Sequence, residues 1–531
     1  MTALHGRNFI AGRFAESPRG FAATSPLDGR ELPGRFCLAS LDDADAAMRI
    51  AAAAAEPLAA TTGAARAALL ERIADEIMAL GDALIERAGL ETALPSARLT
   101  GERGRTVNQL KLFAAMAREG GWVDARIDRA QPDRQPLPRP DLRRAKRPLG
   151  PIVVFGSSNF PLAFSVAGGD TASALCTGNP VVVKAHRAHP GTSELVAGAI
   201  ARAVEACGMP AGTFSMLHGE GSVIGTALVR HPAARAVGFT GSRAAGRALC
   251  DAAAARPDPI PVFAEMSSLN PMFLLPGALA DRGGEIARGF VASMSLGVGQ
   301  FCTQPGLVFA VAGADLDRFK AAVAEAIAAS PPASMLSADI RAAFEHGREA
   351  VCAANGAAVV ARSATAADPR QTQAGAIVVA TTTDAFLADP ALAEEVFGPF
   401  SLVVTVPSLD ALATVARRLD GQLTATLHGT PHDLAAAGAL LDILAEKAGR
   451  VIVNGFPTGV EVCHAMQHGG PWPATSDARF TSVGSAALER FVRPVCYQDV
   501  PDALLPAPLK NANPLGIDRL VDGVRSKASL E

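Results

Sequence analysis

Two stretches of the chain alternate short β-branched runs with Ala-rich ones. In the first, from Arg147 to Glu265, Pro151 to Phe155 (PIVVF) and Pro180 to Lys184 (PVVVK) read as buried strands. Thr213 to Leu217, Ala236 to Phe239 and Pro261 to Phe263 read as three more. Between them, helices are predicted over Leu162 to Cys176, Thr192 to Ala206, Val223 to Val229 and Arg243 to Ala255. Strands separated by helices of this length predict βαβ units, hence a parallel sheet with helices on both faces. The second region runs from about Gly284 to Asn454. Its strands fall at Leu307 to Val311, Ala376 to Ala380, Leu402 to Val406 and Arg450 to Val453, with helices over Ala314 to Ser330 and Pro431 to Lys447. Upstream, the Ala-rich run Ala46 to Ala60 follows Asp42, Asp43 and Asp45, as suits a helix N-terminus, and predicts a helix with one buried face.

Two segments fit neither pattern. Gln131 to Arg147 is rich in Pro and Arg, and Leu488 to Val500 is strand-like near the C-terminus; both are expected to be arms that pair with each other or with another subunit. Leu504 to Glu531 is expected to be loop or a peripheral extension.

Length and composition narrow the function. At 531 residues the chain is long enough for about three units of roughly 150 residues each. With 49 Lys+Arg against 52 Asp+Glu the net charge is −3, which argues against a protein built to grip nucleic acid or an anionic membrane. Met1 to Phe14 lacks the apolar core of a signal peptide, and no uninterrupted apolar run reaches about 18 residues. The eight cysteines are dilute and form no CxxC pair, which favours a reducing, cytoplasmic location.

Among those cysteines, Cys302 stands out. It lies in Gly297-Val-Gly-Gln-Phe-Cys302-Thr-Gln-Pro305, where glycines permit a tight turn, and the thiol beside it is expected to be exposed and hydrogen-bonded by backbone N–H groups, conditions that favour a reactive thiolate. The alternative is an inert packed cysteine. Glu265, in Phe263-Ala-Glu265-Met-Ser-Ser, ends the first sheet, where open α/β sheets place their ligands, and is a candidate general base or an ordinary salt-bridged Glu. Asn159, in Gly156-Ser-Ser-Asn159-Phe-Pro161, could donate to a developing oxyanion or merely cap a turn. Gly241, Ser242 and Gly246, in Phe239-Thr-Gly241-Ser242-Arg-Ala-Ala-Gly246, sit where a strand passes into a helix, an opening suited to a pyrophosphate. Lys184 ends the second strand and Arg187 follows it, where a dinucleotide enzyme often places an acid. His464 and His468, beside Cys463, are four apart, but the Gly/Pro-rich context does not assure helical geometry; no metal site is expected there, nor at His186 and His189.

In this order, Ser158-Asn159-Phe160-Pro161-Leu162, Lys184, Phe239-Thr240-Gly241-Ser242, Glu265, Cys302 and Glu394-Glu395-Val396-Phe397-Gly398-Pro399 resemble the aldehyde dehydrogenase superfamily over about residues 7 to 500. The resemblance implies an α/β fold of two Rossmann-like parallel-sheet domains plus a small β oligomerisation arm. It divides the chain into a dinucleotide-binding domain (1–125 and 148–264), a catalytic domain (265–480), and an arm with a C-terminal extension (126–147 and 481–531). It implies Cys302 as nucleophile, Glu265 as activator of the deacylating water, and Asn159 with the Cys302 backbone N–H as oxyanion hole. Lys184 would bind the adenine ribose, Ser242 the pyrophosphate, and Glu395 the nicotinamide ribose with Phe397 beside it. A homodimer or homotetramer acting on a small-molecule aldehyde is implied as well.

Departures sharpen the expectation. The usual Trp before the Asn is Ser158, and the usual Glu-Leu-Gly-Gly is Glu265-Met-Ser-Ser268. Arg187 replaces an acid; a guanidinium can pair with a 2′-phosphate that a carboxylate would repel, so NADP is expected, with NAD as a poorer substitute. Val166 to Leu175, Lys184 to Ser193, Asn454 to Glu461 and Gly469 to Ser476 resemble more narrowly the 2-oxoglutarate semialdehyde (2,5-dioxopentanoate) dehydrogenases and related NADP-dependent bacterial enzymes. A carboxylate-bearing substrate would want a cation in its tunnel. Arg105 is the candidate, the alternative being a solvated helix charge; Phe160 and Phe456 are expected pocket walls. Other aldehydes, a CoA-acylating relative and a non-catalytic paralog are the competing readings, and the joint presence of Cys302, Glu265 and Asn159 weighs against the last two.

Overall fold

The computed structural model describes residues 4–368 and 370–530; Met1 to Ala3, Pro369 and Glu531, which fall within the N-terminal, catalytic and C-terminal segments expected above, lie outside it. The first sheet has seven strands in the order Val262–Glu265, Ala236–Thr240, Ile152–Phe155, Val181–Lys184, Phe214–Leu217, Asn8–Ile10, Arg13–Ala15. The first five run parallel, as the βαβ pattern predicts, and the N-terminal hairpin adds an antiparallel edge. Every residue of Ile152–Phe155 and Val181–Lys184 is buried, because helices cover both faces.

The second sheet also has seven strands, ordered Ala358–Arg362, Ile377–Thr382, Phe400–Val406, Leu307–Val311, Met272–Leu274, Gln422–His428, Ala448–Val453. It is parallel except for the first pair. Two of its central strands were not expected from the sequence. Met272–Leu274 is only three residues long, and Gln422–His428 carries Gln, Thr, Thr and His at alternate positions, like a solvent-facing side. All seven residues of Gln422–His428 are buried: Gln422 Oε1 accepts from Ser268 Oγ and from the N–H groups of Leu269 and Asn270, and Thr424 Oγ1 donates to Asn270 Oδ1, while the Thr426 hydroxyl and the His428 ring have no hydrogen-bond partner among the described residues.

The two arms pair with each other: Val492–Gln498 runs antiparallel to Leu142–Pro148 over seven residue pairs. The C-terminal segment is more than a loop. Arg519–Val521 lies parallel to Arg126–Asp128 and turns back into Val524–Ser526, giving a five-stranded third sheet. Buried Arg519 fixes it by donating to the carbonyls of Lys510 and Ala528.

Helix boundaries differ from expectation in three places. The helix expected from Leu162 begins only at Gly169, because the Leu162 and Ala163 amides donate to the Glu102 carboxylate, at 2.8 and 3.0 Å, rather than starting a helical ladder. The stretch 431–447 splits into Pro431–Ala436 and Gly438–Lys447, with Ala437 between them and glycine, a poor helix former, opening the second helix. The short helix after Glu220 opens with a π turn at Gly221–Gly225, where Gly225 passes so close to Phe155 that a Cβ would come within 2.7 Å of its ring. The Ala-rich helix forms as Leu41–Ala59, with Ser40 and Asp43 in a reciprocal capping box.

Candidate functional site

The parallel register gathers the candidate residues at one edge. Phe155 pairs with Lys184 and with Phe239, and Thr240 pairs with Glu265, so these neighbouring strands end level. The loops that leave them carry Asn159, Arg187, Ser242 and Met266 onward, on the carboxyl side where α/β sheets bind ligands.

Cys302 approaches this edge on a constrained loop. After the helix Pro276–Ser295, Gly297, Val298 and Gly299 all take left-handed φ, +58°, +58° and +66°. A Cβ on Gly299 would lie 2.2 Å from the Gly398 carbonyl, so only glycine fits, while the β-branched Val298 is held there against its preference. Asn270 locks the far side: its amide donates to the carbonyls of Cys302 and Gln304, both at 2.9 Å. This half-buried thiol is thereby fixed in direction.

What it meets is His468. The Cys302 Sγ lies 3.4 Å from His468 Nε2, and the same nitrogen lies 3.0 Å from Glu265 Oε1. His468 is held by main-chain bonds, its N–H to Thr481 Oγ1 and its carbonyl to the Ser482 N–H, both 2.8 Å. Ser482 Oγ donates to the second oxygen of Glu265. Burial pushes the Glu265 carboxyl up, but His468, Ser482 and Cys302 more than offset it, so it stays below its ordinary range and ionised. Burial and the Glu265 charge push the Cys302 thiol well above its ordinary range, with Arg105 pulling the other way. At rest the pair is a neutral thiol beside a carboxylate, not the exposed thiolate expected from the sequence, with His468 Nε2 against both. Neither the cysteine nor the glutamate predicts this third member; His468 was weighed only as a metal ligand with His464. The retrievable signal was a histidine immediately before a Gly-Gly.

Asn159 is buried, and its amide donates to the Gln300 carbonyl at 3.0 Å, two residues before Cys302. That uses one of its two N–H groups and leaves the second. No hydrogen bond among the described residues uses the Cys302 backbone N–H. Asn159 is not a helix cap; its own carbonyl accepts from Arg98 at 2.9 Å.

Arg105 is not a solvated helix charge. Its Nε and Nη2 are buried and have no protein hydrogen-bond partner. The guanidinium faces Phe160 and Phe164, 5.8 and 5.2 Å from their ring centroids, and burial pushes its pKa down while Cys302, Glu102 and Glu265 raise it. Arg98, unforeseen from the sequence, covers the same Phe160 at 4.7 Å and Phe301 at 5.2 Å, and its Nη1 is likewise buried and unpartnered. Phe160 contacts Phe164 and Phe301 edge-on, so the rings and the two cations form one wall beside Cys302. Phe456 packs on His428 and against Gly289.

The cofactor candidates divide. Lys184 is buried, and burial together with the Arg187 charge lowers it to about 8; Arg187 itself is exposed. Two cations at one strand end, with no acid acting on the lysine, suit a phosphate. Gly241 and Ser242 are exposed at the start of the helix Arg243–Ala254; Ser242 Oγ accepts from the Ala245 N–H as its cap and still has its own O–H to donate. Gly246 lies instead on the buried side of that helix, where a Cβ would meet Met266 at 2.7 Å, so it serves close packing rather than the opening. Glu395 is raised to about 7 by burial, against hydrogen bonds from Ser267 and Ser268. Phe397 is half-buried two residues on.

A family model described as "Aldehyde dehydrogenase family" matches residues 14–491. The chain is 57% identical over 516 residues to alpha-ketoglutaric semialdehyde dehydrogenase 2 of Azospirillum brasilense, covering 96% of this chain and 98% of that protein. It is 46% identical over 532 residues to alpha-ketoglutaric semialdehyde dehydrogenase of Acinetobacter baylyi, covering 99% of each. Among solved structures it shares its fold with 3,6-anhydro-L-galactose dehydrogenase in complex with NAP, at a TM-score of 0.79 and 23% identity, over 93% of this chain and all of that one (100%).

Proposed function

The chain belongs to the aldehyde dehydrogenase family, and from that premise we propose that it oxidises 2-oxoglutarate semialdehyde to 2-oxoglutarate with NADP, releasing the product by hydrolysis. The observation that carries the substrate choice is Arg105. Its unpartnered Nε and Nη2 share one edge of the guanidinium, the edge that binds a carboxylate through two parallel hydrogen bonds. A buried cation without a partner is costly, and a substrate carboxylate relieves that cost. Arg98, over the same Phe160 ring, adds positive charge to that wall. The two relatives named for alpha-ketoglutaric semialdehyde act, by their names, on such a substrate.

The thiol proton passes to His468 Nε2 as Sγ adds to the aldehyde carbon, with the Glu265 carboxylate stabilising the imidazolium. The free N–H of Asn159 and the Cys302 backbone N–H receive the oxyanion. The cofactor, when bound, supplies the hydride acceptor. Lys184 and Arg187 would hold a 2′-phosphate, Ser242 and the open helix start the pyrophosphate, and Glu395 the nicotinamide ribose beside Phe397. Glu265, ionised next to the thioester carbon, activates water for deacylation, which favours hydrolysis over transfer to CoA.

In this reading residues 1–125 and 148–264 bind the dinucleotide and 265–480 supply the nucleophile. The third sheet, 126–147 with 481–531, joins copies of the chain into a homodimer or homotetramer. No described helix is long and apolar enough to cross a membrane, and eight unpaired cysteines suit the cytoplasm. The test is steady-state turnover with NADP and NAD on 2-oxoglutarate semialdehyde, succinic semialdehyde and pentanal, with product identified as free acid or acyl-CoA. Highest kcat/KM on 2-oxoglutarate semialdehyde with NADP and a free acid product supports the proposal; preference for pentanal, for NAD, or formation of acyl-CoA overturns the corresponding part.

A further inference from the structure

We propose that Cys302, His468 and Glu265 form a three-ligand site for a thiophilic divalent cation, Zn2+ foremost, and that its occupation reversibly switches the enzyme off. One ligand atom from each residue lies within 4.8 Å of the other two. The measured edges of this triangle are 3.4 Å from Sγ to Nε2 and 3.0 Å from Nε2 to Oε1. Tetrahedral zinc with ordinary bond lengths separates a thiolate sulfur from an imidazole nitrogen by about 3.6 Å, and that nitrogen from a carboxylate oxygen by about 3.3 Å. Along these two edges the side chains need to spread by only a few tenths of an ångström, and the third lies within the same 4.8 Å.

A second observation points the same way. Glu265 Oε1 is buried and faces His468 Nε2 at 3.0 Å, and Ser482 occupies the other oxygen. The carboxylate therefore offers a lone pair toward the other two ligands. Its backbone ends a sheet strand, and His468 is pinned through Thr481 and Ser482, so the site costs little to order. Sulfur and imidazole select zinc over magnesium or calcium, which prefer all-oxygen sites. The cation displaces the thiol proton to solvent, and no electron moves. Three protein ligands leave a fourth position for water. The bound sulfur is no longer a nucleophile and the imidazole no longer a base, so the aldehyde and the metal exclude each other. The pairing first considered, His464 with His468, is not the one assembled.

Co2+ is the spectroscopic probe, added to the full-length, cofactor-free enzyme in chelator-treated buffer. We expect one Co2+ per chain, a near-ultraviolet thiolate-to-cobalt charge-transfer band, and the intense visible bands of four-coordinate cobalt. Zn2+ should displace it and EDTA should bleach it. Stoichiometric Zn2+ should stop turnover, EDTA should restore it, and saturating aldehyde should delay the inhibition. The charge-transfer band should vanish in Cys302→Ala, and affinity should fall about tenfold or more in His468→Phe. Cys302→Ser, which keeps a hydroxyl in the pocket, replaces Cys302→Ala should the latter lose its native circular dichroism. No charge-transfer band in the wild type, a band that survives removal of Cys302, or unchanged affinity in His468→Phe would each overturn the site. None of these outcomes depends on which aldehyde is the substrate.

Discussion

Replacing Arg105 by methionine keeps most of the stem and removes the guanidinium. The structure separates two consequences. The lost edge, Nε with Nη2, costs a substrate carboxylate its two charge-assisted hydrogen bonds. Hydrogen bonds to charged groups contribute about 1.5–3 kcal/mol each, so losing two predicts a fall in kcat/KM of about 150-fold or more for 2-oxoglutarate semialdehyde. The lost charge also removes a cation that eases ionisation of the Cys302 thiol, and this penalty reaches uncharged aldehydes too. The decisive quantity is therefore a ratio. Steady-state kcat/KM should be measured for 2-oxoglutarate semialdehyde and for pentanal, an uncharged five-carbon aldehyde, in wild type and Arg105→Met. The ratio should drop by the factor above, mainly through KM for the charged substrate. If both aldehydes lose activity equally, Arg105 acts on the thiol and not on the substrate. If neither does, the unpartnered edge has no role in turnover.

Glu265→Gln should release about one reduced cofactor per active site and then stall, since acylation survives and water activation does not; rapid-quench kinetics decide it, and loss of the burst would place Glu265 earlier in the reaction. His468→Phe should slow turnover at neutral pH by about 10²–10⁴-fold and recover with rising pH as hydroxide takes over the thiol proton, whereas wild type stays flatter; a parallel pH profile would remove His468 from proton transfer. Lys184 should make NADP binding pH-dependent. Its pKa near 8 in the free protein means that NADP affinity weakens relative to NAD affinity above pH 8, by up to tenfold per unit; the ratio cancels the titration of Glu395 near 7, which both cofactors share, and titration calorimetry with each cofactor at pH 7 and 9 checks this. Gly299→Ala should destabilise the fold by about 1–3 kcal/mol in the backbone term alone, with a further cost from the Gly398 contact, read as a lower Tm. An unchanged Tm would mean that the loop can relax.

Much of this arrangement was legible beforehand, because the strands that end at Phe155, Lys184, Thr240 and Glu265 are continuous apolar runs. Such runs are what a sheet buried on both faces requires, and once they are parallel neighbours, their terminal residues must come together. The pairing of the two arms followed from strand-like segments that neither α/β region could absorb. What escaped were features decided by tertiary partners. Gln422–His428 looks half-polar, yet it is buried, with Gln422 and Thr424 satisfied by Ser268, Leu269 and Asn270 far away in sequence. The Leu162 amides look helical until Glu102 takes them. His468 lies 166 residues from Cys302, in a segment without periodicity, and no local pattern relates the two.

The charge distribution explains why a histidine is needed at that position. In the resting site the thiol is held neutral by burial and by the Glu265 carboxylate, and Arg105 is a cation that opposes them. When a substrate carboxylate docks on Arg105, that opposing charge is cancelled at the moment the nucleophile is called upon. A site that relied on ambient positive potential to ionise its cysteine would be weakest with its own substrate bound. A base in contact with sulfur does not depend on that potential, because proton and charge move together over one short hydrogen bond. His468, 3.4 Å from Sγ and 3.0 Å from the carboxylate that stabilises its cationic form, meets this requirement. The same reasoning predicts that His468→Phe harms turnover of 2-oxoglutarate semialdehyde more than that of pentanal, since only the charged substrate also silences Arg105.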